Sequence, residues 1–402
     1  MFNIQVFNRD LTYALDCISG TVGDNSQNLG DDGICITDLG NNSLELYTTN
    51  TIEFSKVVII LTSGSSSVEK MPQVNFKRFK QIIDSISQDE YITIKGNTNG
   101  IEISYGGKKP IKLSGTSNVM PSYPVAQNGN SSCAIDIPPS IFKKIISDAC
   151  TIIKEDSNNL ISNCVKIEAN GFDLSAMAID NKSNRIFSYT NTTSEHNNGS
   201  ILLECHKVKK NIKLFYLFDS VILNDFGNVI SITGSNFQSY SPINAVSAEY
   251  CSRTLSGQYP VIDPVKMIGS VSEFVRISKP EFLACMNRAN AIEDNTIGTG
   301  TFDLSIKDDK VTISKTSQYG TLEDMFTSAD YINTPIVDVF KSKAICDILN
   351  TFEDSKYTTT NFEIGKINQS NVNGNLYAVK APGSGYSGNS SFIISSYGSA
   401  TP

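Results

Sequence analysis

Residues Cys133-Ala134-Ile135-Asp136-Ile137-Pro138-Pro139-Ser140-Ile141-Phe142-Lys143-Lys144-Ile145-Ile146 join two kinds of order. Up to Ile137 the segment reads as a short alternating strand, with a period of two. From Pro139, a residue suited to a first helical turn, the period lengthens. Ile141, Ile145, Ala149, Ile152 and Ile153 fall on one face, with Lys143, Ser147 and Lys154 opposite and Lys144 to one side. The segment predicts a strand followed at once by an amphipathic helix to about Ile153.

The same pattern occurs twice more, and internal repeats change how a whole chain is read. Phe2–Val6 precedes a helix near Asn8–Ile18, and Phe274–Ile277 precedes a helix opened by Lys279-Pro280 and running to about Asn290. The three starts lie about 130 to 140 residues apart, close to the commonest domain size. Alternating stretches follow each helix: Gly33–Leu39, Ser43–Thr49 and Ile52–Leu61; Cys164–Glu168 and Asp173–Ala178; Thr301–Ile306 and Lys310–Ser314. Half-way through each domain a further helix is predicted, over Asn75–Ser87, His206–Phe218 and Val337–Asn350, again with strands after it. Pro121-Ser122-Tyr123-Pro124 and Gly257-Gln258-Tyr259-Pro260 close the first two domains on similar words. The reading is an α+β chain of three tandem domains, 1–125, 132–264 and 270–382, each of two similar halves. Residues 383–402 form a flexible extension whose Gly383–Gly388 spells GxGxxG without a helix to follow it, so no dinucleotide site is expected. Phe392-Ile393-Ile394 is the one part of that tail suited to docking in a groove.

Composition narrows the chemistry. The 402 residues are 40% hydrophobic and 18% charged, which suits a folded chain of two to three domains. The longest obvious apolar run, Val57–Leu61, is far short of the ~20 residues of a membrane helix. The N-terminus lacks the basic start and apolar stretch of a signal peptide, so a cytoplasmic protein with no membrane partner is expected. The nine cysteines are widely spaced without a CxxC pair, which suits buried thiols better than disulfides or zinc. Two histidines and no tryptophan argue against His-based catalysis, and no cofactor or catalytic residue is expected. Thirty-three Lys and Arg against 41 Asp and Glu give a net charge of −8. The positive charge is nevertheless segregated: the six helices together carry +7, which leaves −15 on the rest of the chain. His206–Phe218 and its neighbours contribute most, and basic helix faces in an acidic chain point to a polyanion.

In the order and spacing of these features the chain resembles the bacterial sliding clamp, the β subunit of the replicative DNA polymerase. Ile137–Ile146 continuing through Asn163–Gly171, Asn75-Phe76-Lys77-Arg78-Phe79, the Tyr-Pro domain ends, Leu322-Glu323-Asp324-Met325 and Leu376-Tyr377-Ala378-Val379 carry the resemblance, over about residues 1–382. It implies a non-enzymatic processivity factor, a head-to-tail homodimer whose helices line a hole around double-stranded DNA and whose antiparallel sheets form the outer wall. DNA polymerase and an ATPase clamp loader would be its partners. The pore-facing residues would be Lys77, Arg78, Lys80, Lys143, Lys144, Lys154, Lys207, Lys210, Lys213 and Arg288. Ile111, Leu113 and Ile292 would lie at the ring interface, and Ile179, Arg185, Ile186, Pro260, Val265, Tyr377 and Val379 would form a pocket for short hydrophobic peptides. Departures from the family fall at that pocket: the turn Asp180–Ile186 is longer, and Asn159 and Ser162 replace Arg and Leu. Peptides that suit other clamps are therefore expected to bind weakly. The abundance of Asn, Ile, Lys and Ser suggests an AT-rich genome, and this divergence a phage-encoded member.

Two other classes compete. A viral structural protein of repeated β-rich domains would suit the Asn- and Ser-rich composition but has no need of basic helices. A carboxylate-dependent hydrolase would need converging acids, whereas Asp31-Asp32 and Asp308-Asp309 sit in turn-like sequence.

Overall fold

The computed structural model describes residues 2–23, 32–65, 67–97, 99–116, 131–192, 198–237, 245–255, 257–293, 300–352, 361–368, 375–382 and 389–396. The chain opens with β1 (Phe2–Phe7), α1 (Asn8–Ile18), β2 (Gly33–Asp38), β3 (Ser43–Thr49), β4 (Glu53–Ile60), β5 (Glu69–Lys70), β6 (Val74–Asn75), α2 (Phe76–Asp84), β7 (Tyr91–Asn97), β8 (Gly100–Tyr105) and β9 (Ile111–Ser114). There follow β10 (Cys133–Ile137), α3 (Pro139–Ile152), β11 (Cys164–Asn170), β12 (Asp173–Asp180), β13 (Arg185–Asn191), β14 (Gly199–Glu204), α4 (Cys205–Lys210), a 3-10 segment Ile212–Leu217, β15 (Phe218–Asp225), β16 (Val229–Phe237) and β17 (Ala245–Arg253). The last third holds α5 (Pro264–Gly269), β18 (Val275–Ser278), α6 (Lys279–Ala291), β19 (Thr301–Ser317), β20 (Gly320–Lys341), α7 (Ser342–Leu349), β21 (Asn361–Lys366), β22 (Leu376–Lys380) and β23 (Asn389–Ser395).

Six times a strand runs into a helix with at most one residue between them: β1–α1, β6–α2, β10–α3, β14–α4, β18–α6 and β20–α7. Side-chain caps make two of these turns sharp: Asn75 accepts from the Arg78 amide at 3.0 Å, and Ser278 accepts from the Glu281 amide at 3.4 Å. Every one of these opening strands pairs with the other half of its own domain. β1 pairs with β7 and β6 with β2; β10 pairs with β15 and β14 with β11; β18 pairs with β21, and the end of β20 pairs with the start of β19, Phe340 opposite Phe302. Three domains of two similar halves, each pair exchanging its first strands, account for the α+β architecture.

The exchange is locked where the helices meet. Asn8, the first residue of α1, is fully buried, and its Nδ2 donates to the carbonyls of Ile83 (3.3 Å), Ile86 (2.9 Å) and Ser87 (3.1 Å) just where α2 ends. Lys279, the first residue of α6, does the same for the third domain, its Nζ donating to the Phe352 carbonyl at 2.8 Å beyond the end of α7. Helix C-termini leave carbonyls without intrahelical partners. Asn8→Ala should therefore cost about 1–3 kcal/mol, read as a lower denaturant midpoint with an unchanged slope.

The chain gathers into two compact units, one of residues 1–143, 196–201 and 206–255, the other of 144–195, 202–205 and 256–402. The division falls inside the second domain because each of its halves shares a sheet with a neighbouring domain. In the first unit β10-β15-β16-β17 continue through the β17–β4 ladder into β4-β3-β2-β5, beside a separate sheet β1-β7-β8-β9. In the second the order is β14-β11-β12-β13-β23-β22-β21-β18, with β19 and β20 paired apart from it. Phe282 packs edge-on against Phe302 and Phe362 (ring centroids 6.0 and 5.2 Å) in the core of the second unit.

Three sequence expectations change. Residues 389–395, placed in a flexible extension, form β23 in the interior of the eight-stranded sheet, and Phe392, Ile393 and Ile394 are buried. Val337–Lys341 is the end of β20, so the helix expected from Val337 starts at Ser342; buried Asp338 and Phe340 alternate with Val337, Val339 and Lys341 in a strand period. The helix expected over His206–Phe218 is interrupted at Asn211, whose buried side chain donates to the Lys207 carbonyl at 3.0 Å and accepts from Ser55 Oγ at 3.0 Å. The Pro121–Pro124 word, Asp31, and tail residues 383–388 and 397–402 lie outside the described residues.

Candidate nucleic-acid and peptide interfaces

Helix α2 buries Phe76, Phe79 and Ile83 and leaves Lys77 and Arg78 exposed. It packs against α1, as does the 3-10 segment Ile212–Leu217, which carries Lys213. Lys80 ties α2 to α1, with Nζ 2.8 Å from Asp16 and 2.7 Å from Asp84. Burial would lower its pKa, yet the two carboxylates outweigh that and hold the ammonium above its ordinary value. Lys143 Nζ sits 5.0 Å over the ring of Tyr216. Tyr13 on α1 is pushed up to about 12, by burial first and then by its neighbours Cys17, Tyr216 and Asp16. Lys207 lies 3.9 Å from the buried Glu53, which also accepts from the Tyr250 hydroxyl at 2.8 Å. Lys210 and Lys213 are exposed, and so is Lys209, which the candidate pore set omitted.

In the second unit Lys144 pairs with Asp148 at 3.1 Å on its own helix, and Lys154 is exposed just past the end of α3. Arg288 pairs with Asp324 at 2.7 Å, and that hydrogen bond holds the guanidinium above its usual value. The ten expected pore residues thus divide. Lys80, Lys144, Lys207 and Arg288 share their charge with a carboxylate at the distances given, while Lys77, Arg78, Lys143, Lys154, Lys210 and Lys213 are exposed on their helices or just beyond them.

The long turn between β12 and β13 is built around Arg185. Its guanidinium donates to the Ile152 carbonyl at the end of α3 (2.8 Å), to Asp180 (3.1 Å) and to Ser183 Oγ (2.7 Å), and the residue is only 6% exposed. Burial alone would raise the Asp180 pKa; the Ser183 hydroxyl and Arg185 outweigh it and hold the carboxyl below its usual range. Arg185 is therefore a positioning residue for the turn.

Ile179 and Ile186 join Ile367, Leu376, Ala378 and Ile393 in one apolar cluster, with Tyr259 and Met267 packed against it. Tyr259 donates to the Met177 carbonyl at 3.0 Å and approaches that of Cys164 at 3.2 Å, which fixes the second Tyr-Pro word against β12. Of the seven expected pocket residues, Ile179 and Pro260 line a cavity of about 270 Å³ shared with Asn159, Ser162 and Asn181. Val265 stands exposed at the start of α5. Tyr377 and Val379 depart from the expectation. Both are 1% exposed on β22, with Tyr377 donating to buried Asp338 at 2.8 Å, and the place beside β13 belongs to β23. The sequence reading ended the fold one strand too early and so left β23 out of this sheet.

A larger groove of about 660 Å³ opens next to Arg185, lined by Thr151, Lys154, Lys182, Asn184, Phe340, Lys341, Lys343, Ala344, Ile345, Asp347, Ile394 and Ser396 among others. Of this lining the expected pocket included only Arg185, because Ile394 sat in the supposed tail and Lys341 in a supposed helix. Ile111 and Leu113 are half-buried on β9, the last strand of its sheet, alternating with exposed Lys112 and Ser114. Ile292 is half-buried at the C-cap of α6. All nine cysteines are free thiols. Among the described residues no group of three or more His, Cys, Asp or Glu could hold a metal ion, and no helix is long and apolar enough to cross a membrane. Asp308 adopts φ 56° in a bend of β19 and accepts from the Tyr331 hydroxyl at 2.8 Å.

No protein-family model and no curated protein matches the sequence. Solved structures do match the fold. The DNA polymerase III β subunit of Thermotoga maritima superposes with a TM-score of 0.80 at 14% identity, over 100% of both chains. The Pseudomonas aeruginosa DnaN sliding clamp bound to griselimycin gives 0.79 at 14% identity, over 98% of this chain and 99% of that one. The Helicobacter pylori β clamp gives 0.77 at 15% identity, over 98% and 99%. Strand-exchanged halves, shared sheets and end-to-end superposition lead to one statement of architecture: this chain has the three-domain fold of the DNA polymerase III β sliding clamps.

Proposed function

We propose that the protein is a DNA sliding clamp, a non-enzymatic processivity factor that encircles double-stranded DNA and tethers a DNA polymerase to it. The observation that carries the reading is likeness in fold to β clamps over nearly the full length of both chains. Exposed Lys and Arg on helices of a chain with net charge −8 support it, because an acidic exterior limits non-specific DNA binding while weak phosphate contacts permit sliding. The domains are taken as 1–125, 132–264 and 270–382, the last extended to include β23. Two copies would close head to tail, a heterologous contact that ends in a ring. The outer edge of β9, with Ile111 and Leu113, would meet the Ile292 region of the next copy. The loader and polymerase would engage the cavity at Ile179 and Pro260 and the groove beside it, in the cytoplasm.

A topological assay tests this without a loader. Duplex DNA is fixed to beads at one end, the protein is allowed to thread on, and the free end is then capped with streptavidin. A clamp stays bound through a high-salt wash and leaves when a restriction enzyme cuts inside the cap. Retention that is indifferent to the cap, the outcome expected of a structural shell protein, would refute the proposal.

A further inference from the structure

Two thiols of the second domain lie against each other where its helices meet. Cys150 is in the last turn of α3 and Cys205 is the first residue of α4, 55 positions apart in sequence, with their Sγ atoms 2.8 Å apart. The Cys205 thiol also reaches the Ile146 carbonyl, one turn earlier on α3, at 3.4 Å. Asn8 of α1 and Lys279 of α6 are likewise first residues that touch the other helix of their domain, but they do so through strong hydrogen bonds. A thiol makes only weak ones. What a thiol pair can add is a covalent bond. Cys205 has no solvent exposure, whereas Cys150 has 8% and stands two residues before α3 ends. Helix ends open locally more readily than cores, so Cys150 is the thiol that a small oxidant reaches first.

We infer that Cys150 and Cys205 form a reversible disulfide when the protein meets a hydroperoxide, and that the bond staples α3 to α4. This does not depend on the clamp reading. In the first step the Cys150 thiolate attacks one oxygen of hydrogen peroxide. The O–O bond breaks, hydroxide leaves, and Cys150 becomes a sulfenic acid. In the second step the Cys205 sulfur gives up its proton and attacks the Cys150 sulfur, and the S–O bond breaks. The departing oxygen leaves as water. Two thiols have then lost two protons and two electrons, and one hydrogen peroxide has become two waters. The sulfurs close by less than about 1 Å to reach bonding distance. A thiol reductant reverses the bond, which is the usual behaviour of disulfides in intracellular proteins of mesophiles. Cys164 is the competing partner, because Tyr259 lies within electrostatic reach of both Cys164 and Cys205. A metal ion is the poorer occupant, since among the described residues no group of three or more His, Cys, Asp or Glu could hold one.

The test exposes the reduced, full-length protein to millimolar hydrogen peroxide. Remaining thiols are trapped with N-ethylmaleimide in denaturant, and peptides are mapped by mass spectrometry without reduction. The Cys150 and Cys205 peptides should be recovered joined, two hydrogens lighter than their sum. The melting temperature should rise by at least about 5 °C, because the link restricts the unfolded chain, and should fall back with dithiothreitol. Cys150→Ala should show neither the link nor the rise. The Cys133→Ser/Cys346→Ser variant, which removes the two half-buried cysteines, should show both. If Cys150→Ala does not fold, the map of the unaltered chain and its reversal by dithiothreitol decide the matter. Recovery of both Cys150 and Cys205 as maleimide adducts would overturn the inference. So would a Cys164–Cys205 link in its place, a Cys150 sulfinic acid formed ahead of any link, or a linked pair with an unchanged melting temperature.

Discussion

Phe392→Ala is expected to lower the unfolding free energy by about 3–5 kcal/mol, and a chain ending at Pro382 is expected not to fold its second unit. β23 is bonded on both sides, Ile186 to Thr190 of β13 along one edge and Leu376 to Lys380 of β22 along the other. The Phe392 ring lies 5.6 Å from that of Phe187 and 5.9 Å from that of Phe352, and the residue has no solvent exposure. The Ser390 hydroxyl also donates to buried Asp148 on α3. Removing the strand opens two sheet edges at once and uncovers the apolar cluster around Ile179. Chemical denaturation measures the point variant, and soluble yield and hydrogen exchange report on the truncated chain. A loss below about 1 kcal/mol for Phe392→Ala would mean that the site collapses around the missing ring.

Reversing Lys77, Arg78, Lys210 and Lys213 to Glu is expected to weaken low-salt binding to uncapped duplex DNA at least tenfold with little change in stability. These side chains are exposed, so their charge can reach phosphates and contributes little to folding. Each lost phosphate contact flattens the salt dependence of duplex binding by about 0.9 in log–log slope, so four contacts should remove between about three and four. Lys144, Lys207 and Arg288 make a built-in comparison. They already face Asp148, Glu53 and Asp324, so reversing them should disturb stability more and the salt slope less. Unchanged affinity and slope in the fourfold variant would show that DNA does not run along α2 and the Ile212–Leu217 segment.

The repeat was legible because each half pairs a strong helical period with a short alternating strand, and Pro139 and Pro280 mark where one becomes the other. Most of the basic faces were legible for the same reason, since Lys77 and Arg78 fall opposite Phe76, Phe79 and Ile83. Carboxylate partners were not, because Asp16 and Glu53 reach Lys80 and Lys207 only through the folded chain. The end of β20 was misread because Val337–Lys341 runs into α7 with no breaker, as β1 runs into α1. β23 escaped for a different reason. Phe392, Ile393 and Ile394 are buried consecutively in a sheet interior, so the strand has no polar face to alternate, and the Gly- and Ser-rich residues before it read as a linker.

The exchange of opening strands sets an order of events during synthesis. β1 leaves the ribosome early, but its partner β7 begins at Tyr91, so the first strand waits through some eighty residues before it can pair. β18 waits for β21 across a similar interval, and β13 receives β23 only after about two hundred further residues. Contacts so distant in sequence slow folding and leave sheet edges open in the meantime. A nascent chain released before residue 389 would thus carry an open seam between β13 and β22, so completion of the second unit is tied to a strand far from its partner in sequence.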